Sequence, residues 1–163
     1  MSLTFNAEEI LEMAVQIERN GIKFYRKAAG IVSNKETKKF LLDLADMEVE
    51  HEKTFTEMKN QLTEREKEPA VYDPDDQGAL YLRATADGHI FNPKTDISEQ
   101  LTGQETLEHI FNRAIQAEKD SIVFYLGLKE FVSKRAGKEK VEKVIKEEQG
   151  HIVILNNYLK QYK

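Results

Sequence analysis

Residues 44–51, LADMEVEH, and residues 144–151, VIKEEQGH, each place a Glu three positions before a His inside a stretch with helical apolar spacing. They lie one hundred positions apart, and the match extends well beyond them. At that shift Ile10, Ala14, Gln16, Glu18, Ile22, Phe24, Tyr25 and Val32 fall on Ile110, Ala114, Gln116, Glu118, Ile122, Phe124, Tyr125 and Val132, while Glu48 and His51 fall on Glu148 and His151. A repeat of this kind marks two copies of one supersecondary unit.

Four long stretches carry apolar residues at helical spacing, predicting helices over 7–32, 35–63, 104–134 and 138–161. Start signals agree: Asn6 with Glu9, Ser33 with Glu36, and Thr102 with Glu105 read as capping boxes or close variants. Short joints around Ser33 and Gly137 make each neighbouring pair an antiparallel hairpin. A connector over 64–103, broken by Pro69, Pro74, Gly78, Gly88 and Pro93, separates the pairs, and its segment QGALYLRATADG could form a short helix. Two like hairpins joined by a long crossover predict an all-α, ferritin-like four-helix bundle in a single domain spanning 1–163.

Steps of three and four along each helix trace its core-facing seam. The seams read Leu11, Ala14, Glu18, Gly21, Tyr25, Ala28, Val32; Leu41, Leu44, Glu48, His51, Phe55, Met58, Leu62; Phe111, Ala114, Glu118, Ser121, Tyr125, Leu128, Val132; and Val141, Val144, Glu148, His151, Leu155, Tyr158. Each is apolar at its ends and ionisable in the middle, so antiparallel packing brings Glu18, Glu48, His51, Glu118, Glu148 and His151 to one height. Buried carboxylates without partners cost several kcal/mol each, of order the effective desolvation penalty, and repel one another. No Lys or Arg occupies a central seam position, so a bound cation supplies the compensation. Two divalent ions balance four carboxylates and leave two neutral imidazoles as donors. One Glu from each of two helices with Glu-x-x-His from each of the other two is the di-iron carboxylate arrangement. Iron, manganese or a mixed pair all accept such ligands. A lone Glu-x-x-His is weak evidence, because Glu is abundant here. Two pairs at matching repeat positions, each facing a seam Glu, are hard to reconcile with the alternative of a metal-free structural bundle.

Composition narrows the rest. Hydrophobic residues at 40% and charged residues at 33% suit amphipathic helices rather than disorder or a membrane span. A net charge of −5, with acids interleaved among the Lys and Arg, argues against a nucleic-acid groove. The start MSLTFNAEEI lacks the pattern of a signal peptide, giving a cytoplasmic address by default. Zero cysteines exclude disulfides, iron–sulfur clusters and thiol nucleophiles. Off the seams, His89 and His109 read as surface residues and Glu50, Glu52 and Glu147 as surface charge. Tyr25 and Tyr125, two turns beyond Glu18 and Glu118, read first as packing residues, with hydrogen bonds to ligand carboxylates as the alternative.

The paired patterns AVQIERNGIKFY with LADMEVEH, and AIQAEKDSIVFY with VIKEEQGH, resemble the rubrerythrins, di-iron members of the ferritin-like superfamily. The resemblance covers both hairpins. It implies that Glu48, His51, Glu148 and His151 are the paired ligands, that Glu18 and Glu118 come from the other two helices, and that the activity is reduction of hydrogen peroxide. Many rubrerythrins carry a second Glu where this chain has Ser121. Full-length members also append a rubredoxin domain with a Cys-bound iron, which a chain without cysteine cannot hold, so electrons are expected from an external donor protein such as a rubredoxin. A homodimer is a further expectation from the resemblance. The competing functions are a ferroxidase or iron-handling protein using dioxygen and an oxygen-activating hydroxylase.

Overall fold

The computed structural model describes residues 5–68, 77–87 and 100–162. Five α-helices are present among them: α1 (Ala7–Ile31), α2 (Lys35–Asn60), α3 (Gln77–Asp87), α4 (Leu107–Phe131) and α5 (Lys138–Gln161), with a 3₁₀ turn at Glu64–Lys67. No described helix is long and apolar enough to cross a membrane.

α1 pairs along α2 and α4 along α5, while α1 meets α4 and α2 meets α5 across the bundle. The seam residues are buried, apart from Val32 and Tyr158, which are half-buried. α1 buries a wider face than one seam, adding Ile10, Val15, Ile17, Asn20, Ile22, Phe24 and Ala29, because it touches α2, α4 and the 3₁₀ turn. One end of the core is closed by Phe40 stacked on Tyr158, with ring centroids 4.0 Å apart, and by Phe111 beside both.

Capping chemistry sets the helix starts, and it departs from the sequence-based expectation at α2 and α4. Asn6 and Glu9 form the expected reciprocal box, with Glu9 N–H donating to Asn6 Oδ1 at 2.8 Å and Asn6 N–H to Glu9 Oε2 at 3.1 Å. At α2 the cap is Asn34 rather than Ser33: its Oδ1 accepts from Thr37 N–H at 2.9 Å, and Asn is as good an N-cap as Ser. Thr102 donates to Glu105 Oε1 through both its N–H and its hydroxyl, but Gly103 at φ 94° turns the chain there. α4 therefore starts only at Leu107, capped by Thr106 Oγ1. Its other end stops at Phe131 rather than 134, because residues 134–137 form a turn closed by Gly137 at φ 110°.

Within the connector, α3 lies against α4. Tyr81 Oη donates to the Val123 carbonyl at 2.8 Å, and the ring fits only because residue 127 has no side chain. A Cβ on Gly127 would stand 2.6 Å from Tyr81 Cε1. The 3₁₀ turn is tied to the α4–α5 joint through Glu66, which accepts from Arg135 and Ser133. His89, Pro69, Pro74, Gly88 and Pro93 lie outside the described residues. Gly127→Leu is expected to lever α3 off α4 and speed limited proteolysis of the connector while the helical circular dichroism of the bundle changes little; unchanged cleavage would show that α3 does not depend on this contact.

Candidate metal centre

Helix geometry alone explains why the Glu-x-x-His pairs converge. Positions three apart share a face, so Glu48 with His51 on α2 and Glu148 with His151 on α5 each aim two side chains across the bundle at Glu18 of α1 and Glu118 of α4. All six are buried, none more than 3% exposed. The sequence-predicted ligands are therefore brought together in one cluster, and they divide into two overlapping sets: Glu18, Glu48, His51, Glu148, and Glu48, Glu118, Glu148, His151, each with donor atoms within 4.8 Å of one another.

Glu48 and Glu148 belong to both sets. Glu148 Oε1 is 3.2 Å from His51 Nδ1 and its Oε2 is 2.8 Å from His151 Nδ1. Glu48 reaches the same two atoms at 3.6 Å and 3.3 Å. Glu18 faces only His51 Nδ1, at 3.8 Å, and Glu118 only His151 Nδ1, at 3.6 Å. Glu48 and Glu148 thus each face both histidines, while Glu18 and Glu118 each face one, with the imidazole rings 5.7 Å apart.

Both histidines turn Nδ1 inward and Nε2 outward. His51 Nε2 lies 2.9 Å from Glu147 Oε2, and His151 Nε2 lies 3.0 Å from Met47 Sδ. A ring that donates through Nε2 presents a bare lone pair at Nδ1. Five atoms in the cluster lack a hydrogen-bond partner: Glu48 Oε1, both carboxylate oxygens of Glu148, and Nδ1 of each histidine. Acceptor thus faces acceptor in a buried volume, an arrangement that only protons or cations can hold together. Oxygen and imidazole donors in this number fit a pair of first-row divalent ions.

Without metal, protons take that role. Burial and the neighbouring Glu48 push Glu18 well above the usual carboxylate range, and burial with the Glu148 charge does the same to Glu118. Burial opposes a charged ring, but Glu118, Glu148 and Glu48 outweigh it and lift His151 from 6.5 to about 12. His51 rises for the same reason, through Glu148, Glu18 and Glu48. For Glu48 burial works upward, yet the two histidines prevail and hold it well below its ordinary value.

The tyrosines reach across the hairpins. Tyr25 Oη donates to Glu118 Oε1 and Tyr125 Oη to Glu18 Oε1, so the two terminal carboxylates are each held by the opposite repeat's phenol. Packing, the role first expected of the tyrosines, is also present, since Phe55 sits against Tyr125 with centroids 5.0 Å apart. Burial and the adjacent Glu118 and Glu18 charges push both phenols well above 10.0, keeping the proton on oxygen. Ser121 is buried, and its hydroxyl donates to the Ala117 carbonyl 3.1 Å away.

Glu147 corrects the sequence-based expectation of mere surface charge. It sits one residue from the seam, yet its half-exposed carboxylate bends back to His51. No sequence signal marks this contact, because the repeat pairs position 147 with Met47 and the reach to His51 depends on side-chain torsions. Glu50 and Glu52 do stay outside, bonded to Lys53 and Arg19, and His109 is exposed.

Against known proteins, residues 9–87 match the family model described as rubrerythrin. No match is found among curated proteins. A crystal structure from Thermotoga maritima, described as a ferritin-like diiron-carboxylate protein, aligns over 98% of both chains with a TM-score of 0.73 and 24% identity. At that identity the likeness shows the fold, and the fold is ferritin-like. The rubrerythrin match runs through the first hairpin onward to α3.

The proton-filled cluster has a consequence for stability. Glu18 and Glu118 (ordinary value 4.5) and the two histidines (ordinary value 6.5) all bind protons more tightly folded than unfolded. Their contribution is complete below the unfolded values and is lost as pH rises through the folded ones. Glu48 works in the opposite sense, but its depressed value places its loss below 4.5. The metal-free protein should therefore become less stable from about pH 5 to about pH 9 in urea unfolding, and divalent metal should reverse the trend by displacing the protons. A metal-free stability that rises across that range would contradict the assignment.

Proposed function

We propose that the cluster holds two iron ions and that the chain is a rubrerythrin-type oxidoreductase that reduces hydrogen peroxide, drawing electrons from a separate donor protein. The observation that carries this reading is the pair of overlapping donor sets sharing Glu48 and Glu148, supported by the match of residues 9–87 to the rubrerythrin family model. Manganese would be accepted by the same donors.

Two ferrous ions, when bound, supply the two electrons that cleavage of one O–O bond to two waters requires, the remaining inputs being two protons. The chain's own groups provide the setting. Glu48 and Glu148, which belong to both donor sets, would hold both ions. Tyr25 and Tyr125 orient the terminal carboxylates and hold a proton at each Oη within the buried site. A cleft of about 610 Å³ between α2 and α5, lined by Met47, Thr54, Gly150 and Ile154, opens over the outer edges of His51 and His151. Gly150 leaves that wall open, with nothing within 4 Å of where a Cβ would stand. A small oxidant such as peroxide can approach from this side, while the aromatic cluster shuts one end of the bundle.

The alternative of a ferroxidase or iron-handling protein uses the same ligands with dioxygen as oxidant and releases the oxidised iron. Stopped-flow mixing of the ferrous-loaded protein with each oxidant separates the two. Oxidation by peroxide is expected to be at least about tenfold faster than by dioxygen, with iron retained through repeated reduction. A dioxygen preference with ferric release would establish the alternative, and oxidation no faster than that of free ferrous ion would remove the enzymatic reading. Tyr25→Phe is expected to lower the peroxide rate by about tenfold, an order typical of losing a group that orients a ligand, with the iron content preserved.

A further inference from the structure

The repeat places residues 47 and 147 in equivalent positions, each one residue before the Glu of its Glu-x-x-His pair, and each meets the histidine of the opposite hairpin. There the equivalence ends. His51 Nε2 faces a carboxylate at 2.9 Å, whereas His151 Nε2 faces a thioether at 3.0 Å. Everything else on the Nδ1 side is matched: each imidazole sees Glu48, Glu148 and one terminal Glu. We propose that Glu147 is a positioning residue that makes the two metal positions unequal, so that the position served by His51 takes metal first and holds it more tightly than the position served by His151. The proposal rests on the metal-binding part of the functional reading and not on the choice of oxidant.

The chemistry follows from what each partner can do for an imidazole. A carboxylate accepts a charge-assisted hydrogen bond from Nε2–H, which fixes the tautomer, locks the ring plane and raises electron density at Nδ1. A thioether is a weak, uncharged acceptor on a flexible chain and supplies little of this. Lys143 Nζ lies 3.6 Å from the other oxygen, Glu147 Oε1, and steadies the carboxylate from the solvent side. Loss of such a partner typically costs about 10–100-fold in metal affinity, which sets the expected gap between the positions. Both residues are well exposed on their helices, Met47 at 42% and the Glu147 side chain at 45%, so exchanging them leaves the core untouched.

Titration of the metal-free protein with zinc(II), followed by NMR of ring-¹⁵N-labelled histidine, reads the order of filling directly, because the chain has four histidines and zinc is diamagnetic. In the wild type the first equivalent should shift the His51 ring signals before those of His151, with two binding steps about 10–100-fold apart. Glu147→Met should bring the steps together, and the double variant M47E/E147M should reverse the order. Simultaneous filling in the wild type, His151 filling first, or an order unchanged by Glu147→Met would overturn the proposal while leaving the metal centre intact. Failure of zinc to bind at all would overturn the metal centre and the proposal together.

Discussion

Four carboxylates and two imidazoles turn their lone pairs toward one another at the middle of the bundle, and the rest of the architecture is arranged so that they can. None of them is more than 3% exposed, and no Lys or Arg is among the residues of either donor set. The electrostatic cost of that arrangement is several kcal/mol per unpaired charge, a large share of the stability of a domain this size. Protons or cations must therefore complete the core, and folding, protonation and metal binding become one coupled equilibrium. The apolar layers above and below, from the Phe40–Tyr158 stack to Phe55 against Tyr125, hold the helices at the separation that keeps the six groups in reach.

Internal duplication supplies the geometry cheaply. One hairpin provides a terminal Glu, a bridging Glu and a His, and its copy provides the same set from the other side, with each repeat's tyrosine bracing the other's terminal carboxylate. The copies differ at many positions, some of them close to the cluster, as with Gly21 against Ser121 and Met47 against Glu147, but not at its six residues. The ligand set has been kept symmetric while its surroundings have not.

The buried half of this structure was legible in the sequence because burial imposes periodicity. An ionisable residue in the middle of an apolar seam is conspicuous, so the six clustered residues and the four-helix pattern are legible in the sequence. Features that depend on side-chain reach could not. Glu147 lies off the seam by one residue and returns to His51 only through its χ angles. The choice of Nδ1 over Nε2, and the bridging role of Glu48 and Glu148, depend on rotamers that spacing does not encode. The cap of α2 was misassigned where two acceptable caps competed, Asn34 with Ser33, and the start of α4 was displaced where a glycine in the left-handed region, Gly103, cut a box away from its helix. The 3₁₀ turn at Glu64–Lys67 had no apolar periodicity to announce it.

The central claim is that buried acids at mid-bundle are completed by two cations. Anomalous diffraction at the iron edge from crystals of protein loaded anaerobically with ferrous ion tests it most directly. The account predicts two peaks per chain, one against His51 Nδ1 and one against His151 Nδ1, with Glu48 and Glu148 reaching both. No peak between those side chains, or a peak confined to surface carboxylates, would contradict it.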